Sequence, residues 1–338
     1  MCGICGKIDL TGKAVPVALL KSMTESFAYR GPDDEGFFSD GPAGLGHRRL
    51  SIIDLSPAGR QPMSNEDKSL QLVFNGEIYD FAETRKELVS KGHILKSHTD
   101  TETVLHLYEE EGVSCLKRLH GMFGFALWDA RLQRLWLARD RLGKKPLVYS
   151  WDGKRLIFAS EIKALLMDPD VAREIDFEAL DLYLTLNYIP APWTIFKNIR
   201  KLPPGHHLLL EKGKLSIESF WDISASGGEP EISSPSDSLS QDQRTKRLKE
   251  LLEAAVGRRL IADVPLGAFL SGGLDSSIIV ALMARQSSRP VKTFSIGYED
   301  LPFLMKRVMP GKWRDGTAPN TMSSSWVTRT SSTPSPKS

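Results

Sequence analysis

The residue that most constrains this chain is Cys2. Excision of the initiator Met1, favoured by the small side chain behind it, would make Cys2 the N-terminus and set a thiol beside a free α-amine. A thiol is a poor nucleophile until it loses its proton. A reference α-amine titrates near ~8 and a reference thiol near ~8.5, so handing the proton across costs only about 0.7 kcal/mol. A lysine, near ~10.4, is too fully protonated at neutral pH to act as that base. Nucleophile and base thus arrive on one residue, the alternative being a cysteine that merely happens to stand second. Cys5 completes a C-x-x-C, but no second cysteine pair supplies the rest of a zinc ligand set, and a redox pair would follow a strand.

With 338 residues the chain holds two ordinary domains, and 25% charged with 41% apolar residues is a normal soluble composition. A net charge of +2 gives no reason to expect nucleic acid or an anionic membrane as partner. There is no long apolar run for a spanning helix and no signal peptide, since Lys7 and Asp9 interrupt the start. Three cysteines are too few for a disulfide framework, so a reducing cytoplasm is the expected location.

The first half reads as mixed α/β with many short strands. Leu70 to Phe74 is a strand, Asn75-Gly76 a turn, and Asp80 the N-cap of a helix reaching Lys91, closed by Gly92. Thr99-x-x-Glu102 is a capping box opening a helix that ends near Gly112. Phe123 to Trp128 and Leu135 to Ala138 flank a polar segment as in a hairpin. Residues 222–242, rich in Ser, Gly, Pro and acids, read as a linker. Then Leu248, Leu251, Leu252, Ala255 and Val256 recur at helical spacing, Val264 to Leu270 forms an apolar strand, and Ser276 to Arg285 a helix. Between that strand and helix lies Ser271-Gly272-Gly273-Leu274-Asp275-Ser276-Ser277. Two glycines let the backbone wrap an anion, and the serines offer hydroxyls at a helix N-terminus. It is not a Walker A loop, but it matches the pyrophosphate-binding S-G-G-x-D-S of ATP pyrophosphatases.

Cys2-Gly3-Ile4, Arg30-Gly31-Pro32-Asp33, His47-Arg48-Arg49-Leu50-Ser51-Ile52, Asn75-Gly76-Glu77-Ile78-Tyr79 and Asp100-Thr101-Glu102 precede that loop in one order. With Tyr188 to Pro192 and Lys201 to Gly205, they make residues 2 to about 300 resemble glutamine-hydrolysing asparagine synthetase of the bacterial B type. The fold implied is an N-terminal-nucleophile α/β/β/α sandwich over 2–190, a connecting segment over 191–242, and the start of a parallel-sheet ATP-pyrophosphatase α/β domain over 243–300. The resemblance implies that Cys2 attacks the glutamine amide, that Asn75 and Gly76 stabilise the oxyanion, and that Arg49 grips the substrate α-carboxylate. Glu77 and Asp100 would hold its α-ammonium. Taken alone, Asn75-Gly76 is equally a hairpin turn, Arg49 a solvated charge, and Asp100 a helix-dipole contact. In the second domain Leu270 and Ile296 match positions that contact nucleotide, while Ser271, Gly272, Gly273, Asp275 and Ser276 would cradle pyrophosphate. The substrates implied are L-glutamine, ATP with Mg2+, and L-aspartate, with no prosthetic group, and a homodimer is left open. No residue is assigned as a metal ligand; His98, His106 and His120 show no ligand partners in the sequence.

From Leu301 the character changes: Ser, Thr, Pro, Met and basic residues dominate, and Asp315 is the only acid. The expectation is a synthetase domain cut short, with an aberrant, disordered tail over 301–338. Plausible codons for Leu304 onward, read from the third base of the Leu304 codon, encode DEAGYARQVAGRHGTEHNELFVG, similar to the family's continuation, which points to a frameshift. Three functional readings follow. One is asparagine synthetase, the chain as written keeping at most its glutaminase step. The second is an amidotransferase of the same type acting on another carboxylate, and the third a non-synthetic truncated product. Glutaminases serving phosphosugar or purine synthesis give Ser271 to Ser277 no role, and a β-lactam synthetase lacks the nucleophile.

Overall fold

The computed structural model describes residues 1–223 and 239–295 with their side chains, and 296–298 and 321–328 as backbone. The chain divides into two compact units, Met1–Ser226 and Gly227–Ser338. In the first, strands β1 (Gly3–Asp9), β2 (Asp34–Asp40), β3 (Ala43–Arg49), β4 (Met63–Ser64), β5 (Leu70–Ile78) and β6 (Gly121–Asp129) are followed by β7 (Arg134–Arg139), β8 (Val148–Trp151), β9 (Arg155–Ala159), β10 (Arg200–Lys201), β11 (His206–Glu211) and β12 (Lys214–Ser219). Its helices are α1 (Val17–Glu25), α2 (Phe81–Ser90), α3 (Asp100–Glu111), α4 (Ile162–Leu165) and α5 (Phe177–Leu186).

Two six-stranded antiparallel sheets result, ordered β10-β8-β9-β1-β3-β2 and β12-β11-β7-β6-β5-β4. Side chains alternate between the faces of a strand, and here both faces are apolar. Leu135 and Leu137 of β7 join Ile4, Ile8, Leu45 and Phe158 between the sheets, while Trp136 and Ala138 turn the other way onto α2 and α3. Cys5, Ile157 and Ala159 face away from the inter-sheet core and pack with Met23 of α1, Phe27 just after it and Leu165 of α4. The unit is therefore the expected α/β/β/α sandwich, with a core on each side of each sheet.

Several sequence expectations hold. Phe123 to Ala138 forms the β6–β7 hairpin, and α2 and α3 end at glycines with φ of +100° (Gly92) and +59° (Gly112). Others are corrected. Asn75-Gly76 is no turn: both lie inside β5, opposite Gly124 and Phe123. Glycine is needed there for close approach, since a Cβ on Gly76 would sit 2.3 Å from the Met122 carbonyl oxygen on β6. Asp80 precedes α2 but its side chain makes no capping bond. Only half of the capping box forms. Thr99 accepts from Glu102 N, but the Glu102 carboxylate turns to the N–H groups of Lys96 and Ser97 instead of reaching Thr99. The segment from 191, expected as a connector, adds β10 to one sheet and the β11–β12 hairpin to the other. Lys212 and Gly213, with φ of +51° and +75°, make the two-residue turn of that hairpin.

The second unit contains α6 (Gln241–Gly257), β13 (Gly267–Phe269), α7 (Leu274–Gln286), β14 (Val291–Tyr298) and β15 (Thr321–Thr328), the three strands parallel in the order β13-β14-β15. β15 lies within the 301–338 tail. The remainder of 301–338, and residues 224–238 of the expected linker, lie outside the described residues. Among the described residues the buried apolar core of this unit is Val256, Leu282, Met283 and Val291. Phe269 and Leu274 are largely exposed.

Candidate active site

Cys2 immediately precedes β1, and its Sγ accepts a hydrogen bond from Leu50 N at 3.3 Å and lies 3.6 Å from Leu50 O. The sequence just beyond the paired β3 strand thus holds the thiol. The Arg30 Nε donates to the Cys2 carbonyl at 3.0 Å while Nη1 pairs with Glu161 at 2.8 Å. Arg30, read from sequence only as part of a turn, is therefore the anchor of the first residues. Burial pushes the Cys2 thiol up, opposed by the Leu50 hydrogen bond, the chain's terminal charge and Lys145. Burial likewise lowers the Met1 amine. Cys5 is fully buried on β1 and its thiol is pushed far up by desolvation, so it is an inert packing residue.

One pocket gathers every residue proposed from sequence for the amide chemistry: Cys2, Arg49, Asn75, Gly76, Glu77 and Asp100 all line it. Arg49 ends β3, with its Nη1 donating to Ser56 O at 2.9 Å and its Nη2 to Asp54 O, which fixes the guanidinium. Asn75 is 1% exposed, and neither its Nδ2 nor its Oδ1 has a hydrogen-bond partner. A buried amide left unpaired costs about 1–3 kcal/mol, so its retention marks an atom pair waiting for a ligand.

The edge of β5 explains why Gly76 is available. Beyond Leu72, β4 no longer covers β5, and every second residue directs its backbone N–H and C=O to that edge. The Phe74 N–H donates to Gln61 Oε1 at 2.6 Å and its carbonyl meets His47 Nε2 at 3.2 Å, while the Ile78 N–H donates to Asp100 Oδ2 at 2.7 Å. Gly76 lies between them in the same phase, and its N–H is left uncovered by any side chain among the described residues. Burial drives the His47 pKa down to about 4, so its imidazole stays neutral as it bridges the sheets.

Asp100 opens α3 and accepts from Ile78 N and from Thr101 N, at 2.7 and 2.9 Å. Burial, with a smaller contribution from Glu77, raises it to about 7 in spite of those bonds. Burial also raises Glu77, opposed by Lys145. Lys145 is the residue that sequence reading missed. It is 5% exposed and lines the same pocket, and its ammonium makes no hydrogen bond or ion pair among the described residues. Burial lowers its pKa, with Glu77 and Cys2 pulling the other way.

In the second unit the loop runs from β13 into α7 as expected. Gly272 has φ of +77°, Ser271 Oγ lies 3.1 Å from Ser276 Oγ, and Ser276 and Ser277 hydroxyls donate to Gly273 O at 3.1 and 2.8 Å. Leu270 N donates to Phe294 O at 2.8 Å, tying the loop's base to β14, the strand that carries Ile296. Asp275 stands in the first turn of α7.

Comparison with known proteins decides the family. Residues 1–221 match the glutamine amidotransferase domain. The chain belongs to that family. Residues 247–307 of this amidotransferase match asparagine synthase. Glutamine-hydrolyzing asparagine synthetase 3 of Bacillus subtilis is 38% identical over 308 residues, covering 89% of this chain and 48% of that protein. Glutamine-hydrolyzing asparagine synthetase 1 of the same organism is 36% identical, covering 90% and 47%. Amidase chry2 of Gibberella zeae is 36% identical over 301 residues, covering 84% and 43%. The amidotransferase thus spans about half the length of these relatives.

The histidines differ from expectation in one respect. His98 N donates to Asp54 Oδ2 at 2.7 Å and His120 faces Asp80, but His106 has His93 and Glu109 beside it.

Proposed function

We propose that the first unit releases ammonia from L-glutamine at Cys2, and that the second begins a domain which adenylates L-aspartate with ATP so that ammonia can displace AMP and form asparagine. The Cys2 thiolate attacks the side-chain amide carbon, and the carbonyl π pair becomes an oxyanion. As the intermediate collapses, the amide nitrogen takes the proton that the thiol gave to the α-amine and leaves as ammonia, giving a glutamyl thioester that water hydrolyses to glutamate and free thiol. Asn75 Nδ2 and the Gly76 N–H supply the oxyanion donors. Arg49 receives the α-carboxylate as a planar donor, and Glu77 with Asp100 receives the α-ammonium. Lys145, an uncommitted cation beside the thiol, offsets the burial that opposes thiolate formation. The observation that carries this reading is the orphaned, buried Asn75 amide in the pocket of the nucleophile.

In the second unit ATP would arrive as its magnesium complex, its pyrophosphate meeting Ser271, Gly272, Gly273, Asp275 and Ser276 at the start of α7, with Leu270 and Ile296 on the nucleotide side. The match to asparagine synthase is confined to residues 247–307, which supports glutamine hydrolysis without asparagine synthesis for the chain as written. Relatives named asparagine synthetase and amidase match at nearly equal identity, so a carboxylate other than aspartate is the competing acceptor. The test is ammonia release from glutamine by the purified chain, with mass spectrometry of its N-terminus, against Cys2→Ala. Release that survives in Cys2→Ala, or proceeds with Met1 still attached, refutes the nucleophile. Formation of asparagine and AMP by this chain refutes the loss of synthesis.

A further inference from the structure

Away from the amide pocket, α3 and the loop after α2 bring together two imidazoles and a carboxylate. One ligand atom from each of His93, His106 and Glu109 lies within 4.8 Å of the others. Glu109 Oε2 is 2.6 Å from His106 Nδ1 and 3.5 Å from His93 Nδ1, so a single oxygen faces both rings. Around a tetrahedral zinc ion with bonds of about 2.0–2.1 Å, ligand atoms stand about 3.3 Å apart, so side-chain adjustments of under about an ångström would close the set. The surroundings are those a metal-ligand shell requires. His93 Nε2 meets Glu110 Oε1 at 3.1 Å, which orients the ring with Nδ1 inward, and Asn65 Nδ2 donates to Glu109 Oε1 at 2.8 Å, leaving Oε2 for a ligand role. A carboxylate behind a ligating histidine and a donor behind a ligating carboxylate are the usual supports of a metal ligand. His106 and Asn65 are buried, 2% and 4% exposed, so the set has a rigid floor. Lys91 pairs with the far oxygen of Glu110 at 3.0 Å.

We propose that His93, His106 and Glu109 form a binding site for a divalent transition cation, with Glu110 and Asn65 as positioning residues. Two imidazoles and one carboxylate favour zinc or its neighbours over magnesium or calcium. The cation would sit between the two rings and the carboxylate. It would clasp the loop after α2 to the helix whose first residue is Asp100.

The test uses the full chain without an affinity tag, in a Cys2→Ala background that removes the half-exposed thiol as a competing ligand. Zinc chloride binding is followed by calorimetry, and cobalt substitution by its visible spectrum. The expected result is one equivalent bound, with at least a 30-fold loss in His93→Gln and in Glu109→Gln and a 10–100-fold loss in Glu110→Gln. Circular dichroism confirms that each variant is folded. Absence of stoichiometric binding at about 100 μM zinc, or undiminished binding in the folded double variant His93→Gln/Glu109→Gln, overturns the proposal and leaves the five side chains as a hydrogen-bonded cluster.

Discussion

Asn75→Ala separates function from folding because the structure assigns the two opposite signs. The side chain is buried and neither polar atom has a partner among the described residues, so truncation removes a standing penalty of about 1–3 kcal/mol for the unpaired amide. Against this, a void of about 50 Å3 costs about 1.2 kcal/mol at 24 cal/mol per Å3. The variant should therefore be as stable as the parent, or more stable by about 1–2 kcal/mol. Catalysis moves the other way: loss of one oxyanion donor lowers kcat by about 10²–10³, or roughly 2.7–4 kcal/mol. The assay pairs urea denaturation with steady-state ammonia release from glutamine. Asn75→Leu, matched in branching and heavy-atom count but without the polar atoms, should lose the same activity. A fall in stability of 2 kcal/mol or more, or a kcat within tenfold of the parent, refutes the argument.

Three other outcomes follow from the pocket. Asp100 titrates near 7 instead of the ordinary 3.8 because it is buried. Between those values the native state holds a proton that the unfolded chain has lost, so stability falls as pH rises through this window. The loss is at most about 4 kcal/mol, and Asp100→Asn should flatten it in urea midpoints compared at pH 4.5 and 7.5. Glutamine's ammonium should discharge that proton, giving proton release on binding at pH 6 in calorimetry across buffers of different ionisation enthalpy. Gly59→Ala places a Cβ 2.0 Å from Arg49 Nη2. The displaced guanidinium should raise KM for glutamine about 10–100-fold with a smaller change in kcat, the mark of lost ground-state binding; an unchanged KM contradicts Arg49 as the carboxylate anchor. Lys145→Met should move the pH profile of Cys2 alkylation by iodoacetamide to higher pH, with Lys145→Arg restoring it, whereas coincident profiles would remove Lys145 from the chemistry.

The amide pocket was legible because its residues carry distinctive chemistry near element ends: a second-position cysteine, an Asn-Gly, an acid at a helix start. Thr99 announces α3 and a glycine its close, and the apolar runs around the polar Asp129–Arg134 segment announce a hairpin. What stayed hidden is set by partners far along the chain. Lys145 lies in a polar loop with no periodicity. It is placed by Asp140, whose carboxylate accepts from the N–H groups of Phe123, Leu142, Lys144 and Lys145. Asn75-Gly76 mimics a turn because the same residue pair serves close strand approach as well as left-handed backbone. The β11–β12 hairpin was lost inside an assumed connector, although Leu208 to Leu210 and Leu215 to Ile217 flank a Lys-Gly pair that signals it.

The site uses a feature that sheets normally suppress. An uncovered strand edge is a row of unmet donors and acceptors open to unwanted pairing. On β5 the row is closed at Phe74 by Gln61 and His47 and at Ile78 by Asp100, which leaves the donor at Gly76 between two filled positions. Gln61 Nε2 in turn reaches Thr101 Oγ1 at 3.3 Å, so one side chain fixes both the strand before Asn75 and the helix start beside Asp100. The donor proposed for the oxyanion and the acceptor proposed for the ammonium are thereby set by one rigid connection. Gln61→Leu should consequently damage kcat and glutamine affinity together, whereas changes at Asn75 or Gly59 divide them. Separate, additive effects in the Gln61→Leu/Asn75→Ala double variant would show that the edge and the helix are positioned independently.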